Sequence, residues 1–192
     1  MISQRARKIF EEYPIIAAVR TPEDFECALE SKVKVFFMVG GDVFKARKQI
    51  GELKARGDLL FFHMDLIEGL GKDPSGIRHA KEEFGVDGVQ STKPHILKIA
   101  KHEKLITVHR LFVTDFQSLQ SGLNLAKMSK PDFLELTPGI IPKIVKMVKA
   151  EQSLPIISSG LVSTIEDVKD LISAGTSNIC CSTRTLWNIS YS

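Results

Sequence analysis

The chain has 192 residues, 43% hydrophobic and 26% charged, with a net charge of +3. That length suits one sizeable domain, taken here as 1–192, with enough apolar residues for a packed core. The sequence lacks a run of about 18 apolar residues for a membrane span, its polar, basic start at 1–7 is unlike a secretory leader, and the mild charge is compatible with anionic small molecules or RNA without demanding either.

Hydrophobic patterning predicts an opening helix at 4–12 and a first strand at 15–19 that ends at Arg20. Thr21, Pro22, Glu23 and Asp24 then supply a cap, a first-position proline and first-turn acids for a helix. The second strand, 33–39, runs into Gly40-Gly41; its helix is expected to bury Val43, Ala46, Ile50 and Leu53 and to stop at Gly57. The third, 59–62, carries into His63-Met64-Asp65-Leu66, and a helix from Pro74 with Ile77, Ala80 and Phe84 inward stops at Gly85. The fourth, 86–89, ends in Gln90-Ser91-Thr92-Lys93 before a helix opened by Pro94 that carries Ile96, Leu97 and Ala100. The fifth, 106–108, ends in His109-Arg110 and precedes a helix with Phe116, Leu119, Leu123 and Ala126 on its apolar face. The sixth, 133–136, ends in Thr137-Pro138-Gly139, and Pro142 opens a helix with Ile144, Val145 and Val148 inward.

Two short apolar runs, Ile156-Ile157 and Ile179-Cys180-Cys181, complete the set as strands seven and eight. Between them Ser163 and Glu166 read as a capping box. Ile165, Val168, Leu171 and Ile172 share a helical face, and Gly175 suits a left-handed stop. The sparse cysteines, Cys27, Cys180 and Cys181, read as buried thiols of a reducing cytoplasm, with the adjacent pair on opposite strand faces.

Eight short strands alternating with amphipathic helices predict parallel β/α units, and eight of them a small (β/α)8 TIM-like barrel. A doubly wound open sheet is the alternative, although neither a Gly-x-Gly-x-x-Gly motif nor a P-loop supports its nucleotide-binding versions.

In a barrel the chemistry gathers at the C-terminal strand ends. The polar residues there are Arg20, His63, Asp65, Gln90, Ser91, Thr92, Lys93, His109, Arg110, Glu135, Ser158, Ser159, Ser182 and Thr183. Small hydroxyl and glycine residues after strands seven and eight, Ser158-Ser159-Gly160 and Ser182-Thr183, suit a phosphate cradle of backbone N–H groups; the plainer alternative is a turn with helix caps. His63 and Asp65, two apart, can act as acid and base, hold a metal, or simply meet solvent. Lys93 can form a Schiff base, clamp an anion, act as a desolvated base, or reach solvent. Arg110 is the better anion ligand, because a guanidinium binds carboxylate or phosphate with two hydrogen bonds. Glu135, between Leu134 and Leu136, is expected to be partly buried and paired with Lys93 or Arg110. His79, His95 and His102 sit on helices as surface residues. Lys143, Lys146 and Lys149 form a basic helical stripe, a solvated face or, second, an RNA contact without any RNP-type aromatic pattern.

His63-Met64-Asp65-Leu66 with Gly69-Leu70, Asp87-Gly88-Val89-Gln90-Ser91-Thr92-Lys93, Arg110-Leu111-Phe112-Val113-Thr114-Asp115, Glu135-Leu136-Thr137-Pro138-Gly139, Pro155-Ile156-Ile157 with Gly160-Leu161, and Ser182-Thr183 with Leu186-Trp187 resemble, in order, the motifs of the glycerol uptake operon antiterminator regulatory proteins. The resemblance runs from about Ile15 to Trp187. Three positions depart from the usual pattern: His109 replaces a Gln, Ser159 replaces the first Gly of Gly-Gly-Leu, and Arg184 replaces a Ser. Ser159 reduces backbone freedom there, and Arg184 adds a cation.

The resemblance implies a small cytoplasmic bacterial regulator that responds to glycerol 3-phosphate and binds leader mRNA to prevent transcription termination. Joined to the strand-end reading, it predicts a ligand site without catalytic residues, metal or cofactor. Ser159, Gly160, Ser182 and Thr183 would cradle the phosphate, Lys93 and Arg110 supply charge, and Asp65 and Glu135 hold the glycerol hydroxyls or orient the cations. Basic helix faces such as 143–149 would meet RNA, and association into an oligomer is compatible with a barrel of this size. Two alternatives stay open: an isomerase- or aldolase-type enzyme acting on a small phosphorylated sugar, and a binding module that keeps the ligand site without RNA.

Overall fold

In the computed structural model, described over residues 2–189, eight parallel strands close into a barrel ringed by helices. The strands are β1 (Ile15–Val19), β2 (Val35–Met38), β3 (Gly41–Asp42), β4 (Leu59–His63), β5 (Ile67–Glu68), β6 (Gly88–Ser91), β7 (Ile106–Phe112), β8 (Phe133–Thr137), β9 (Ile156–Ser159) and β10 (Asn178–Cys181). β3 and β5 pair only with each other, above the barrel strands they follow. The helices are α1 (Gln4–Glu12), α2 (Pro22–Leu29), α3 (Arg47–Ala55), α4 (Pro74–Phe84), α5 (Pro94–His102), α6 (Phe116–Ser129), α7 (Pro142–Glu151) and α8 (Ile165–Ser173), followed by a short 3-10 helix at Arg184–Asn188. β1 pairs with both β2 and β10. That closure gives the (β/α)8 barrel and sets aside the open doubly wound sheet.

The two-residue period of a strand sorts side chains into two cores. Ile16, Ala18, Val35, Phe37, Leu59, Phe61, Ile106, Val108, Phe133, Ile157 and Cys180 fill the barrel interior. The alternate residues, such as Ala17, Phe36, Leu60, Val89, Leu134, Ile156 and Cys181, pack outward under the helices. Cys180 and Cys181 therefore do face opposite ways. Gly88 lies opposite Phe61 in the register, and a Cβ there would come within 2.1 Å of the Phe61 ring. Its bare Cα makes room for that ring. At the N-terminal end, α1 closes the barrel: Phe10 lies 4.6 Å from Phe133 and 5.8 Å from Phe61, centroid to centroid. The Asn178 side chain fastens α1 by donating to the Phe10 carbonyl at 2.8 Å. Only the C-terminal end of the interior is left for a ligand.

Several local expectations are corrected. The second strand is shorter than 33–39, the fourth starts at Gly88, and β7 extends to Phe112, where it still pairs with Thr137. The capping box of α8 is Thr164 with Asp167, one residue later than Ser163 with Glu166. Ile165 thereby becomes the first residue of the helix and points out, 50% exposed. Phe116 opens α6 in the same way and is 68% exposed. Cys27 is half-buried, not buried. Among the described residues no helix is long and apolar enough to cross a membrane.

Candidate functional site at the barrel mouth

Along six strands the inward column begins apolar and ends polar. Continuing the two-residue period past the interior core gives Arg20, His63, Gln90, Arg110, Glu135 and Ser159. Gln90 and Glu135 are fully buried, and His63 is 2% exposed. These groups converge at the C-terminal end, yet their hydrogen bonding is incomplete. Gln90 Nε2 donates to Glu135 Oε2. Gln90 Oε1, Glu135 Oε1, His63 Nδ1 and Arg110 Nε are all buried without a partner. Buried polar atoms in native proteins are nearly always satisfied, so four unmet ones at one end of a barrel mark a place made for something polar.

A cavity of about 90 Å³ opens there. Arg20, Arg110, Glu135, Ser159, Gly160 and Ser182 line it, together with the apolar surfaces of Ala18, Val39 and Cys180. Larger hollows, one of about 490 Å³ between α6 and α7 and one of about 600 Å³ at the α1 end, are lined by none of these unmet groups. Polarity, not volume, picks the site.

Charge is arranged accordingly. Burial pushes the Glu135 carboxyl above its ordinary range, with the Arg110 guanidinium pulling against it. Burial, aided by the Arg110 charge, pushes His63 down to about 4, so it is neutral at pH 7. Burial also raises the Cys180 thiol well above its usual range, which leaves it protonated. The cations Arg20 and Arg110 thus face the cavity with one carboxyl group between neutral neighbours.

The loops over the cavity are tied together. Thr183 Oγ1 donates to the Val162 carbonyl at 3.0 Å, joining the loop after β10 to the loop after β9. Trp187 Nε1 donates to the Cys181 carbonyl at 3.0 Å and holds the 3-10 helix against the strand end. Ser159 Oγ shares a hydrogen with Thr137 Oγ1 at 2.5 Å. Gly160 has φ +80° and Leu161 φ +64°. A left-handed leucine costs about 1 kcal/mol. Leu161 is also 73% exposed, so no burial of its side chain accounts for that backbone; strain of this kind concentrates at ligand clamps.

Of the eight residues picked from sequence, the fold brings Arg110, Glu135, Ser159, Gly160 and Ser182 around one cavity. Thr183 ties loops beside it. Lys93 stands apart, and Asp65 lies 3.9 Å from His63 Nδ1 without lining the cavity. Both Asp65 oxygens are occupied, by Ser91 Oγ at 2.9 Å and by Thr92 N and Oγ1 at 2.8 and 3.0 Å. Against the effect of burial, these bonds hold its carboxyl below the ordinary range, and they brace the loop after β6. Among the described residues no third ligand joins His63 and Asp65 to make a metal site. Lys93 is exposed at the start of α5, so Glu135 pairs with Gln90 beside Arg110 and not with Lys93. Arg184 spends its charge on Asp24 at 2.9 Å. His109 points out of the barrel, 2.7 Å from Ser129 Oγ on α6. Arg20, noted only as a polar strand end in the sequence, lines the cavity. Gln90, bonded to Glu135, and the buried His63 lie in the same inward column without lining it; the two-residue continuation of the interior column is the signal that finds them.

The family model described as glycerol-3-phosphate responsive antiterminator matches residues 15–187. The chain belongs to that family. Its fold is similar to the crystal structure of a glycerol uptake operon antiterminator regulatory protein from Listeria monocytogenes, with a TM-score of 0.84 and 31% identity over 90% of this chain and 94% of that one. An antiterminator-related protein from Thermotoga maritima gives a TM-score of 0.79 and 28% identity over 91% and 98%. YgcP of Escherichia coli K12, itself uncharacterized, is 29% identical over 181 residues, 94% of this chain and 95% of YgcP. The family match covers every strand end that forms the mouth.

Proposed function

We propose that this antiterminator-family chain binds glycerol 3-phosphate in the barrel mouth and leader mRNA on its helical flank, the first event biasing the second. The observation that carries the reading is the set of unmet buried polar atoms beside Arg20 and Arg110. Arg20, Arg110, Gly160 and Ser182 would take the phosphate, since guanidinium groups and open loop backbone both suit an anion. Glu135, Gln90 and His63 would take the hydroxyls. Lys93 lacks the desolvation that an amine nucleophile needs, which favours a regulator over a Schiff-base enzyme.

The RNA contact suits the C-terminal ends of α5 and α6. Lys98, Lys101, Lys127 and Lys130 are all exposed there. Lys101 Nζ reaches the Lys130 carbonyl, so the two helices present one continuous basic patch. Among the described residues none of these four lysines is paired with a carboxylate. Loops around the mouth instead carry Glu23, Asp24, Asp115, Glu166 and Asp167 at helix starts, which disfavours a polyanion at that end.

Calorimetric titration with glycerol 3-phosphate, followed by gel-shift assays of leader RNA with and without it, tests the reading. Saturable binding that changes RNA affinity is expected. Ligand binding with no RNA effect would leave only a binding module, and no ligand binding would remove the site.

A further inference from the structure

Resting on that ligand assignment, we infer that the mouth reads the oxidation level of its ligand, accepting the secondary alcohol of a glycerol phosphate and rejecting the matching ketone. The unmet groups decide this. Gln90 Nε2 is already committed to Glu135 Oε2. The pair is left with two buried acceptor oxygens, Gln90 Oε1 and Glu135 Oε1, and no donor for either. Ionised beside Arg110, Glu135 only accepts. The deep end of the ligand must therefore bring hydrogens, as a hydroxyl does.

A ketone oxygen brings only lone pairs. Turned toward Glu135 it would leave both acceptors unsatisfied and add a third. Of the other lining residues, Ala18 and Val39 carry no polar side-chain atoms and Cys180 offers an S–H, a weak donor. Arg20 and Ser182 carry stronger donors, assigned in the proposed pose to the phosphate, and Ser159 Oγ is engaged by Thr137 Oγ1 and the Leu136 carbonyl. Arg110 Nε is an unmet donor of the cluster, turned in that pose to the anion; His63 Nδ1, the remaining unmet atom, donates or accepts according to its tautomer. Sites that hydrogen-bond a substrate hydroxyl through buried groups discriminate far more strongly than apolar pockets, because the rejected analogue leaves those groups unpaired.

The test is a calorimetric comparison of the wild-type chain with sn-glycerol 3-phosphate, dihydroxyacetone phosphate and inorganic phosphate at pH 7.5. Dihydroxyacetone phosphate is expected to bind about 100-fold or more weakly than glycerol 3-phosphate. Equal binding of the two, within about threefold, would overturn the inference while leaving the phosphate site standing. Failure of all three to bind would overturn the ligand assignment and the inference with it. Glu135→Gln keeps the shape but exchanges an acceptor for an amide donor, so the preference should collapse to less than about tenfold. A folded Glu135→Gln protein that keeps the full preference would also overturn the inference; should that variant not fold, the wild-type comparison decides alone.

Discussion

Arg110 and Glu135 are register partners on β7 and β8, both turned into the barrel, and each keeps one buried polar atom unmet, Nε on the first and Oε1 on the second. They stand side by side without closing on each other, which leaves room between charge and acceptor for a third group.

Removing one member should therefore cost more than removing both. Arg110→Met leaves Glu135 buried without its cation and is expected to lower stability by about 3 kcal/mol in urea unfolding. Arg110→Met with Glu135→Leu should recover most of that loss, because neighbouring buried charges replaced together by apolar groups are often neutral. Neither variant should bind glycerol 3-phosphate. A double variant no more stable than Arg110→Met would contradict the coupling of the two charges.

Gly88 lies against the Phe61 ring inside the barrel. Gly88→Ala would set a Cβ 2.1 Å from Phe61 Cε1 and 2.6 Å from the Ile106 carbonyl. Overpacking of this kind costs about 1–3 kcal/mol. Phe61→Leu introduced with it should relieve part of the loss, read from the same denaturant midpoints.

Much of the architecture was legible because barrel strands and helices announce themselves locally. Pro94 and Pro142 open helices, Gly85 closes one with φ +61°, and the alternating strand runs predict the two cores. The half-turn errors at Ile165 and Phe116 arose because a residue just after a cap shares the helical pattern while still pointing to solvent. The site was only partly legible. Ser159, Gly160, Ser182, Arg110 and Glu135 lie at strand ends where chemistry is expected, but position along the chain does not say which way a side chain turns. Asp65 and Lys93 lie beyond the strand, where the two-residue period has stopped. His109, in contrast, is inside the strand but out of phase with Arg110, and the period sends it to Ser129.

Stability should depend on pH through His63. Its folded pKa, about 4, lies below the ordinary 6.5 because burial and the Arg110 charge disfavour the imidazolium. Above about pH 6.5 both folded and unfolded chains hold it neutral, and its contribution is full. Between 6.5 and 4 the unfolded chain takes up the proton first, so stability falls as pH falls, by about 3 kcal/mol at the limit. His63→Gln should flatten that part of the melting-temperature profile; an unchanged slope would exclude His63 as its source.

Glu135 runs the other way, with its folded pKa raised by burial. Acidification protonates it in the folded chain before the unfolded one, which removes a cost. The protonated carboxyl can donate, so the preference for alcohol over ketone should narrow as pH falls. Arg110 on β7 and Cys180 on β10 face it, Arg20 just past β1 lines the same cavity and His63 on β4 lies in the same polar column, with Gln90 and Ser159 as neutral neighbours. The Cys180 thiol stays protonated and does not confuse the readout; readings above about pH 5 also keep clear of His63.

For RNA, the charge-removing variant Lys98→Gln, Lys101→Gln, Lys127→Gln, Lys130→Gln should weaken binding and flatten the slope of log affinity against log salt by about 0.7 for each phosphate no longer neutralised. The same change at Lys143, Lys146 and Lys149 should have less effect. Ligand binding should survive both. A larger loss from the α7 stripe would move the interface there.

In the proposed function the mouth binds a glycerol phosphate through its loop ends and buried polar column. Thermal unfolding with glycerol 3-phosphate, run on wild type and on Ser182→Asp, tests it most directly. Ser182 is exposed, so the substitution should leave the fold intact while setting a carboxylate against the phosphate. At about 100 times the dissociation constant the ligand should add about 2.7 kcal/mol to the wild type, a rise of about 5–10 °C for a chain of this size, and nothing to the variant. No rise in the wild type, or an equal rise in Ser182→Asp, would contradict the account.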